Sequence, residues 1–536
     1  MDIDPPLDNQ MPNVYAKAFD RWKIVYDQFA SALSSFLAES ISLDLALQNP
    51  SAREWTGLED SLAQIDTALT SFDTQTRNAR AALGRMRNRS TSLVPITKLP
   101  AETILQILSL PDVDCILNHR SRHYIGSRKR YQPSPLTSVS VTNKWFRDIA
   151  ISTPSLWTHV DLAIGATYQE DCLRRGRAYV EHSGQSLLHV HIAQTDPMHD
   201  SKDIVKLMAP HAHRITSLHL QTAQYNTLNI ILGLFSNIAS CQIREFYLND
   251  GYDEEPDAND YYRLFDGRLR EFFRSLQIIT VNGPDLSLDS AAFSGLTVLK
   301  LSLYNTAMIH HTISEFRDVL AACPGLRVLS IPTYWFRTIG PQTDPQVPIE
   351  PVSLPELELL DLRQMHSTDE LLKLLFCIIP SSKPLTFSVS LKDLDPDEIS
   401  RLQDFVKQAN VTRLLLEAYP HSDDEEMDVD QSFPRFTTTF PAVRELAISN
   451  YDLRELATER ALDAFPFLHT LHLLDQSHSD QNSYPQLLDS SSVQVVYMDL
   501  SIYTNIPKVA PLVRRRSYPA LGTGEGYLEW PIKIGS

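Results

Sequence analysis

A short apolar motif recurs from residue 186 onward and limits the folds open to this chain. It reads apolar-x-x-apolar-x-apolar, and ten clear copies begin at residues 215, 243, 276, 296, 326, 357, 411, 443, 468 and 493. Alternate residues of a strand point to the same side, so each copy predicts a short strand with one apolar face. Successive copies start mostly 20 to 33 residues apart, which is typical of leucine-rich repeats. We therefore expect neighbouring copies to share one continuous core.

The segments between these copies vary in character. ISEFRDVLAAC and DEISRLQDFVKQ are amphipathic and predict helices. The longest gap, from 357 to 411, could hold a degenerate copy near PLTFSVSL. The ninth motif position lacks the Asn or Cys that leucine-rich repeats usually carry there, so the sequence predicts an irregular solenoid. The acidic segments 250–260 and 421–432 are predicted to be loops.

The residues before these copies predict two long helices. Apolar side chains follow steps of three and four along 14–38, and they alternate four and three along 58–86. The second pattern is a heptad seam. Two readings stay open, a hairpin in which the helices pack on each other and a coiled-coil dimer of two chains.

A third unit is predicted between these helices and the copies. It begins with Leu99-Pro100-Ala-Glu102 and an apolar helix. A polar, basic insertion at 111–134 separates this helix from a second amphipathic helix, and the unit ends at Leu156-Trp157. Pro100 suits a first helical turn, where its missing N–H costs nothing. Because this unit is too short to have much core of its own, we expect part of its apolar face to contact a partner.

This unit resembles an F-box, whose pattern is Leu-Pro-x-Glu with an apolar helix, then a Val-x-x-x-aromatic helix, then Leu-Trp. "KLPAETILQILSL", "KWFRDIAISTP" and "SLWTHVDL" match that pattern in order. The F-box is usually shorter, and its aromatic position falls on Trp145 if Val141 sets the spacing, or on Phe146 if the Leu-Trp end does. With the helices before it and the copies after it, the chain is similar to F-box proteins with leucine-rich repeats that are abundant in mushroom-forming fungi.

The resemblance implies an α+β fold in four parts. These are a helical hairpin or coiled coil at 12–90, a small all-α F-box at 95–163, an irregular α/β leucine-rich-repeat solenoid at 164–505, and a C-terminal cap or tail at 506–536.

The resemblance also implies a function. F-box helices bind the Skp-type linker subunit of a cullin–RING ubiquitin ligase, so the chain is expected to be a non-enzymatic adaptor that presents a target protein. The alternative is a leucine-rich-repeat scaffold that keeps an F-box fold without ligase function. The expected linker-binding residues are Leu99, Pro100, Glu102, Ile104, Leu105, Ile107, Leu108, Leu136, Val139, Val141, Trp145, Phe146, Ile149, Leu156 and Trp157.

Target binding is expected at the strand positions that do not face the core, because these can vary without harming packing. The candidates are His219, Lys300, Asp361, Arg363, Arg413, Glu417 and His472. Their mixed chemistry suggests recognition of a protein, and the sequence does not identify that target.

Other features predict no catalytic site, cofactor or metal. The pairs His189/His191 and His211/His213 have one-face spacing in a strand, but no Cys or carboxylate stands at ligand spacing beside them. GTGEGY at 522–527 is expected to be a turn.

Charge and composition predict neither a nucleic-acid-binding nor a membrane protein. The net charge is −18, and no apolar run is long enough to span a bilayer. Five widely spaced cysteines suggest reduced thiols in the cytoplasm or nucleus, most of them in the core. Two short basic clusters, at 128–130 and 514–516, are candidate nuclear import signals.

Overall fold

The computed structural model has one dominant sheet of fourteen strands, in which every strand pairs in parallel with the next one along the chain. Two short strands, β8 and β10, leave this order and form a separate parallel pair. The structure describes residues 11–47, 57–89, 95–109, 135–142, 144–165, 169–194, 201–221, 225–236, 242–249, 270–283, 290–303, 312–331, 350–363, 368–391, 396–418, 438–449, 451, 461–474, 493–498 and 513–515.

The strands are short, and each copy of the sequence motif contains one of them. They are β1 His159–Ile164, β2 Leu188–Gln194, β3 Ile215–Gln221, β4 Glu245–Asn249, β5 Ile278–Gly283, β6 Val298–Leu303, β7 Val328–Ser330, β8 Val352–Leu354, β9 Leu359–Leu362, β10 Ile378–Pro380, β11 Leu385–Leu391, β12 Val411–Ala418, β13 Glu445–Ser449, β14 Thr470–Leu474, β15 Val495–Met498 and β16 Val513–Arg515.

Helices occupy the N-terminal part and several connections between strands. They are α1 Met11–Leu47, α2 Leu58–Arg89, α3 Ala101–Ser109, α4 Pro135–Thr142, α5 Lys144–Ile151, α6 Gln169–His182, α7 Lys202–Met208, α8 Tyr225–Ser236, α9 Arg270–Arg274, α10 Ile313–Ala321, α11 Thr368–Phe376 and α12 Pro396–Gln408. Short 3₁₀ helices cover Pro95–Lys98, Pro154–Trp157, Ala209–Arg214 and Ala461–Ala464.

The chain divides into two compact units, Met1–Lys98 and Leu99–Ser536. In the first unit, α1 and α2 leave their apolar stripes open to solvent. Phe19, Val25 and Ile41 of α1 are each about 60% exposed, and Leu69 and Phe72 of α2 are 42% and 53% exposed. Whether these stripes close as a hairpin or in a dimer stays a prediction.

The core of the second unit is built on one row of side chains that crosses the whole sheet, and we call it the apolar row. Each member up to Val496 is at most 2% exposed. Its members, taken strand by strand through aligned pairs, are Val160, Val190, Leu218, Phe246, Ile279, Leu299, Leu329, Leu360, Phe387, Leu414, Leu446, Leu471 and Val496. Burying one such side chain is worth about 1.5–3 kcal/mol.

Helices cover this apolar side of the sheet. On β1, α6 approaches so closely that a Cβ added at Gly176 would lie 2.6 Å from Cδ2 of Leu162 and 3.7 Å from Cγ1 of Val160. The C-terminal end of α6 is held by the buried Arg214, whose guanidinium donates to the carbonyl oxygens of Val180 (3.0 Å) and Ser186 (3.1 Å). A cation at a helix C-terminus is favourable because it satisfies the last carbonyls and opposes the helix dipole.

A short helical segment, formed by α3, α4, α5 and the 3₁₀ turn 154–157, leads directly into β1. Trp157 joins the two, since its indole Nε1–H donates to the carbonyl oxygen of Ala150 in α5 at 2.7 Å. The same indole meets Tyr179 of α6 edge-on, with ring centroids 4.9 Å apart. The segment and the sheet therefore share one packed core.

The predicted fold class is wrong. We expected an α+β chain with a small all-α F-box followed by a leucine-rich-repeat solenoid, whereas the described residues form one continuous parallel sheet with helices in its connections, which is an α/β architecture. β1 lies inside the last residues of the span 95–163, so that span is not all-α. The sequence predicted copies that stack and share one core, and in the structure backbone hydrogen bonds also join neighbouring strands, for example from Thr297 N–H to the carbonyl of Gln277 at 2.8 Å.

Several sequence predictions concern residues outside the described ones, among them the segments 111–134, 250–260 and 421–432. β16 lies in the region predicted to be a tail and pairs with β15.

Cys172, Cys323 and Cys377 are free and buried, as expected, and burial raises the pKa of Cys172 to about 12. Among the described helices, none combines the length and apolar composition needed to cross a bilayer.

Candidate functional site

The sheet carries a second, largely polar row on the side opposite the apolar row, and we call it the central row. Strand pleating forces this separation, because residues next to each other in a strand point to opposite faces. Its aligned members are Asp161, His191, His219, Tyr247, Thr280, Lys300, Ser330, Asp361, Ser388, Leu415, Ala447, His472 and Tyr497.

The structure brings four of the seven predicted target-binding residues into the central row. These are His219, Lys300, Asp361 and His472. Arg413 lies in the neighbouring row, 3.3 Å from Glu445 of the next strand, and Glu417 lies further along β12. The sequence thus identified one surface although the candidates span more than two hundred residues of chain.

Two of these candidates are less accessible than expected. Arg363 is 9% exposed because its guanidinium binds Asp361 through two hydrogen bonds of 2.8 Å and 2.7 Å. Burial alone would raise the pKa of Asp361, but the charge and hydrogen bonds of Arg363 and the charge of Lys300 lower it below its usual value. His472 is 3% exposed and stacks on Tyr497, with ring centroids 4.8 Å apart. Arg363 and His472 therefore hold neighbouring side chains in place and expose little of themselves to a binding partner.

Four aromatic side chains stack at the β1 end of the central row, and we call them the His–Tyr stack. They are His159, His191, His219 and Tyr247, on the first four strands. Ring centroids are 4.4 Å apart between His159 and His191, 3.9 Å between His191 and His219, and 3.9 Å between His219 and Tyr247. The stack follows from parallel in-register pairing, which places His191, His219 and Tyr247 directly beside one another.

A carboxylate lies beside the histidines at the β1 end of the His–Tyr stack. Asp161 is the aligned partner of His191, and its Oδ1 lies 3.1 Å from Nε2 of His159. Potential ligand atoms of His159, Asp161 and His191 all lie within 4.8 Å of one another. Within the part of the chain that the structure describes, this is the group of His, Cys, Asp and Glu side chains that could hold a metal ion.

The stack strongly favours neutral imidazoles. Burial, together with the neighbouring His219, His159 and His189, lowers the pKa of His191 to about 2. Burial also lowers the pKa of His219 to about 4, with His159 and His189 contributing and Asp161 opposing. Placing a charge in this packed stack costs desolvation and repulsion from any second imidazolium.

The sequence carries a signal for this cluster in two similar pentapeptides. HVDLA at 159–163 and HVHIA at 189–193 are nearly the same five residues, and the structure aligns them position by position. Only the pair His189/His191 was noted, and no carboxylate was assigned to it. The carboxylate comes from the neighbouring strand.

The predicted linker-binding residues separate into three groups by exposure. Ile104, Leu136, Ile149 and Trp157 are buried, so they hold the helical segment together rather than offering a surface. Pro100, Glu102, Ile107 and Val141 are exposed, and Leu99, Leu105, Leu108, Trp145, Phe146 and Leu156 are half-buried. The Val139 side chain lies outside the described ones. Ile107 and Val141 are 40% and 68% exposed, so this segment presents apolar side chains to solvent.

Both candidate aromatic positions contribute to the segment. The rings of Trp145 and Phe146 are half-buried, with centroids 5.4 Å apart. Arg147 in the same helix donates from Nε to the carbonyl oxygen of Ser140 at 2.9 Å, which ties α5 to α4.

No protein-family model matches this chain, and a search of curated proteins found no match. The F-box and leucine-rich-repeat resemblance therefore rests on the motifs of this sequence alone.

The His–Tyr stack should make stability depend on pH. Above about pH 6.5 His191 is neutral in both the folded and the unfolded chain. Below that value His191 binds a proton in the unfolded chain and stays neutral in the folded chain. Stability should fall by up to about 1.4 kcal/mol per pH unit for this group between about pH 6.5 and pH 5. Urea unfolding in EDTA-containing buffer measures that slope, and His191→Gln should make it shallower.

The exposed His469 gives the matched control, because His469→Gln should leave the slope of the unaltered protein in place. An equal slope for His191→Gln and the unaltered protein would show that the stack accepts protons at no cost.

Proposed function

We propose that this chain is a substrate-recognition adaptor of a Skp–cullin–F-box ubiquitin ligase and is not itself an enzyme. The helical segment binds the Skp-type linker subunit, and the polar side of the sheet binds a target protein. The observation that carries the proposal is an exposed apolar surface on a segment with F-box-like motifs, packed directly onto the first strand of a large sheet.

The exposed apolar side chains favour a protein partner for the helical segment. Ile107 and Ile151 are 40% and 44% exposed and Val141 is 68% exposed. Covering what remains exposed of each contributes only part of the about 1.5–3 kcal/mol that a fully exposed side chain gains on burial, and the cost of association must be subtracted from it. All three belong to the segment that carries the F-box-like motifs, which is why we assign them to a partner surface.

The junction at Trp157 supports an adaptor in particular. An adaptor must hold its target at a fixed position relative to the ligase, so its two binding parts must not move independently. The indole of Trp157 contacts α5 through the Ala150 carbonyl and α6 through the ring of Tyr179. Both contacts are buried, so the helical segment is attached through packed side chains and not through the chain alone.

The polar side of the sheet supports the second part of the proposal. Lys300, Asp361 and Arg413 carry both signs of charge and are only partly exposed, as are the Thr280 and Ser330 positions between them. Side chains fixed by a regular sheet lose little freedom on binding, which favours recognition of a protein surface. Such an adaptor works in the cytoplasm or nucleus.

The linker proposal is tested by binding of the purified Skp-type linker subunit to the full chain. Ile107→Asp should weaken binding at least about 100-fold, because it places a charge against the apolar partner that the proposal puts on this side chain. Isothermal titration calorimetry gives the dissociation constants, and thermal unfolding checks that the variant remains folded.

Ile230→Asp is the matched control, since Ile230 is also a helix isoleucine and is 44% exposed against 40% for Ile107. It should bind the linker as the unaltered chain does. If the unaltered chain does not bind the linker, the adaptor proposal is wrong and the scaffold alternative is favoured. If both variants bind as the unaltered chain does, the assignment of the linker to the Ile107 surface is wrong.

The target-binding proposal predicts that binding of the target and binding of the linker can each be removed without affecting the other. Lys300→Glu with Arg413→Glu should remove the captured target from the complex and leave the linker bound, whereas Ile107→Asp should do the reverse. Quantitative affinity capture of the tagged full chain measures both losses. Charge reversal on the helical side, at Arg174 and Lys407, is the control and should change neither. Loss of the target in that control, or its retention when Lys300 and Arg413 are reversed, would contradict the assignment of the polar side.

A further inference from the structure

We propose that His159, Asp161 and His191 form a binding site for one transition-metal ion of the zinc class. The three side chains come from two adjacent parallel strands and point to the polar side of the sheet. Potential ligand atoms of all three lie within 4.8 Å of one another. This proposal does not depend on the adaptor function.

The distances suit tetrahedral coordination. A zinc ion binds imidazole nitrogen and carboxylate oxygen at about 2.0–2.2 Å, so two ligands of one tetrahedron lie about 3.3 Å apart. His159 Nε2 and Asp161 Oδ1 are already 3.1 Å apart. An ion would replace the proton that these two atoms now share, and a rotation of the third side chain, His191, completes the set.

The donor set determines the class of metal. Two imidazoles and one carboxylate favour zinc and its neighbours copper, nickel and cobalt, whereas magnesium and calcium prefer oxygen donors throughout. Three protein ligands leave a fourth position open, as in zinc sites that bind water or an outside ligand. An incoming His, Cys or carboxylate side chain of another protein could occupy that position.

The sheet places the backbones of the three ligands side by side before any ion arrives. His159 and Asp161 are two residues apart on β1, and Asp161 is the aligned neighbour of His191 on β2. Beneath them Val160, Leu162 and Val190 are at most 1% exposed. Ligands on packed strands are held more accurately than ligands on loops.

Ring contacts surround the buried ligand, and the other two ligands remain accessible. The ring of His191, which is 4% exposed, lies between those of His159 and His219. The side chains of His159 and Asp161 keep 25% and 13% of their surface accessible, so an ion can reach them from the polar side.

The test is titration of the EDTA-stripped full chain with Zn²⁺ by calorimetry and with Co²⁺ by visible absorption. The unaltered chain should bind one ion tightly, with the d–d bands of tetrahedral Co²⁺. His159→Asn and Asp161→Asn should each weaken Zn²⁺ binding at least about 100-fold, because loss of a direct ligand exceeds the about 10–100-fold effect of outer contacts. Zn²⁺ should raise the melting temperature of the unaltered chain and not of these variants.

His472→Asn is the matched control, because His472 is a buried histidine of the same row at the far end of the sheet. It should bind Zn²⁺ as the unaltered chain does. His159 and Asp161 are only partly buried, so their variants are expected to fold, and circular dichroism confirms this before titration. Unchanged Zn²⁺ affinity in both variants, or no stoichiometric binding by the unaltered chain, would overturn the proposal.

Discussion

Parallel pairing of strands in chain order is the constraint on which the rest of this structure depends. Because each strand aligns with the next, every position of the short motif becomes a row that crosses the sheet. The apolar row must be covered, and the helices in the connections cover it. The same pleat obliges the intervening positions to face away from that core. A polar side is therefore a direct consequence of how the core is built.

The features with chemical character follow from that register. His191, His219 and Tyr247 stack because they hold the same position on three neighbouring strands. Asp161 reaches the histidines because β1 is aligned with β2. β1 is also the strand that follows Trp157, so the histidine cluster lies where the helical segment joins the sheet. The segment, the junction and the cluster thus share one edge of the fold.

The sequence predicted the strands far better than the architecture. All ten motif copies contain a strand, and the degenerate copy near PLTFSVSL is β11, because local apolar spacing is enough to identify a strand. β1 and β2 were not predicted, although WTHVDL at 157–162 and LLHVHI at 187–192 fit the same spacing with His159 and His189 at positions open to any residue. HVDL was instead taken as the end of an F-box. The class was wrong because the hydrogen bonds that merge copies into one sheet join residues distant in sequence.

The site was only partly predictable, for the same physical reason. Four of the seven target candidates fell into the central row, because the strand pattern gives the side on which a residue lies. The pattern does not give a residue's neighbours on other strands, so it could not show that Arg363 binds Asp361 or that His472 lies beneath Tyr497. It also could not supply Asp161 as the carboxylate beside His191. In the helical segment, spacing identified the apolar positions but not that Ile104 and Ile149 face inward while Ile107 faces out.

Hydrogen–deuterium exchange of the full chain, with and without the Skp-type linker subunit, tests the central claim most directly. The account predicts slower exchange confined to α3, α4 and α5, with the strands from β3 onward unchanged, because the linker covers the helical segment and leaves the polar side of the sheet free. Slower exchange along the strands of the central row, or no change in the three helices, would contradict it.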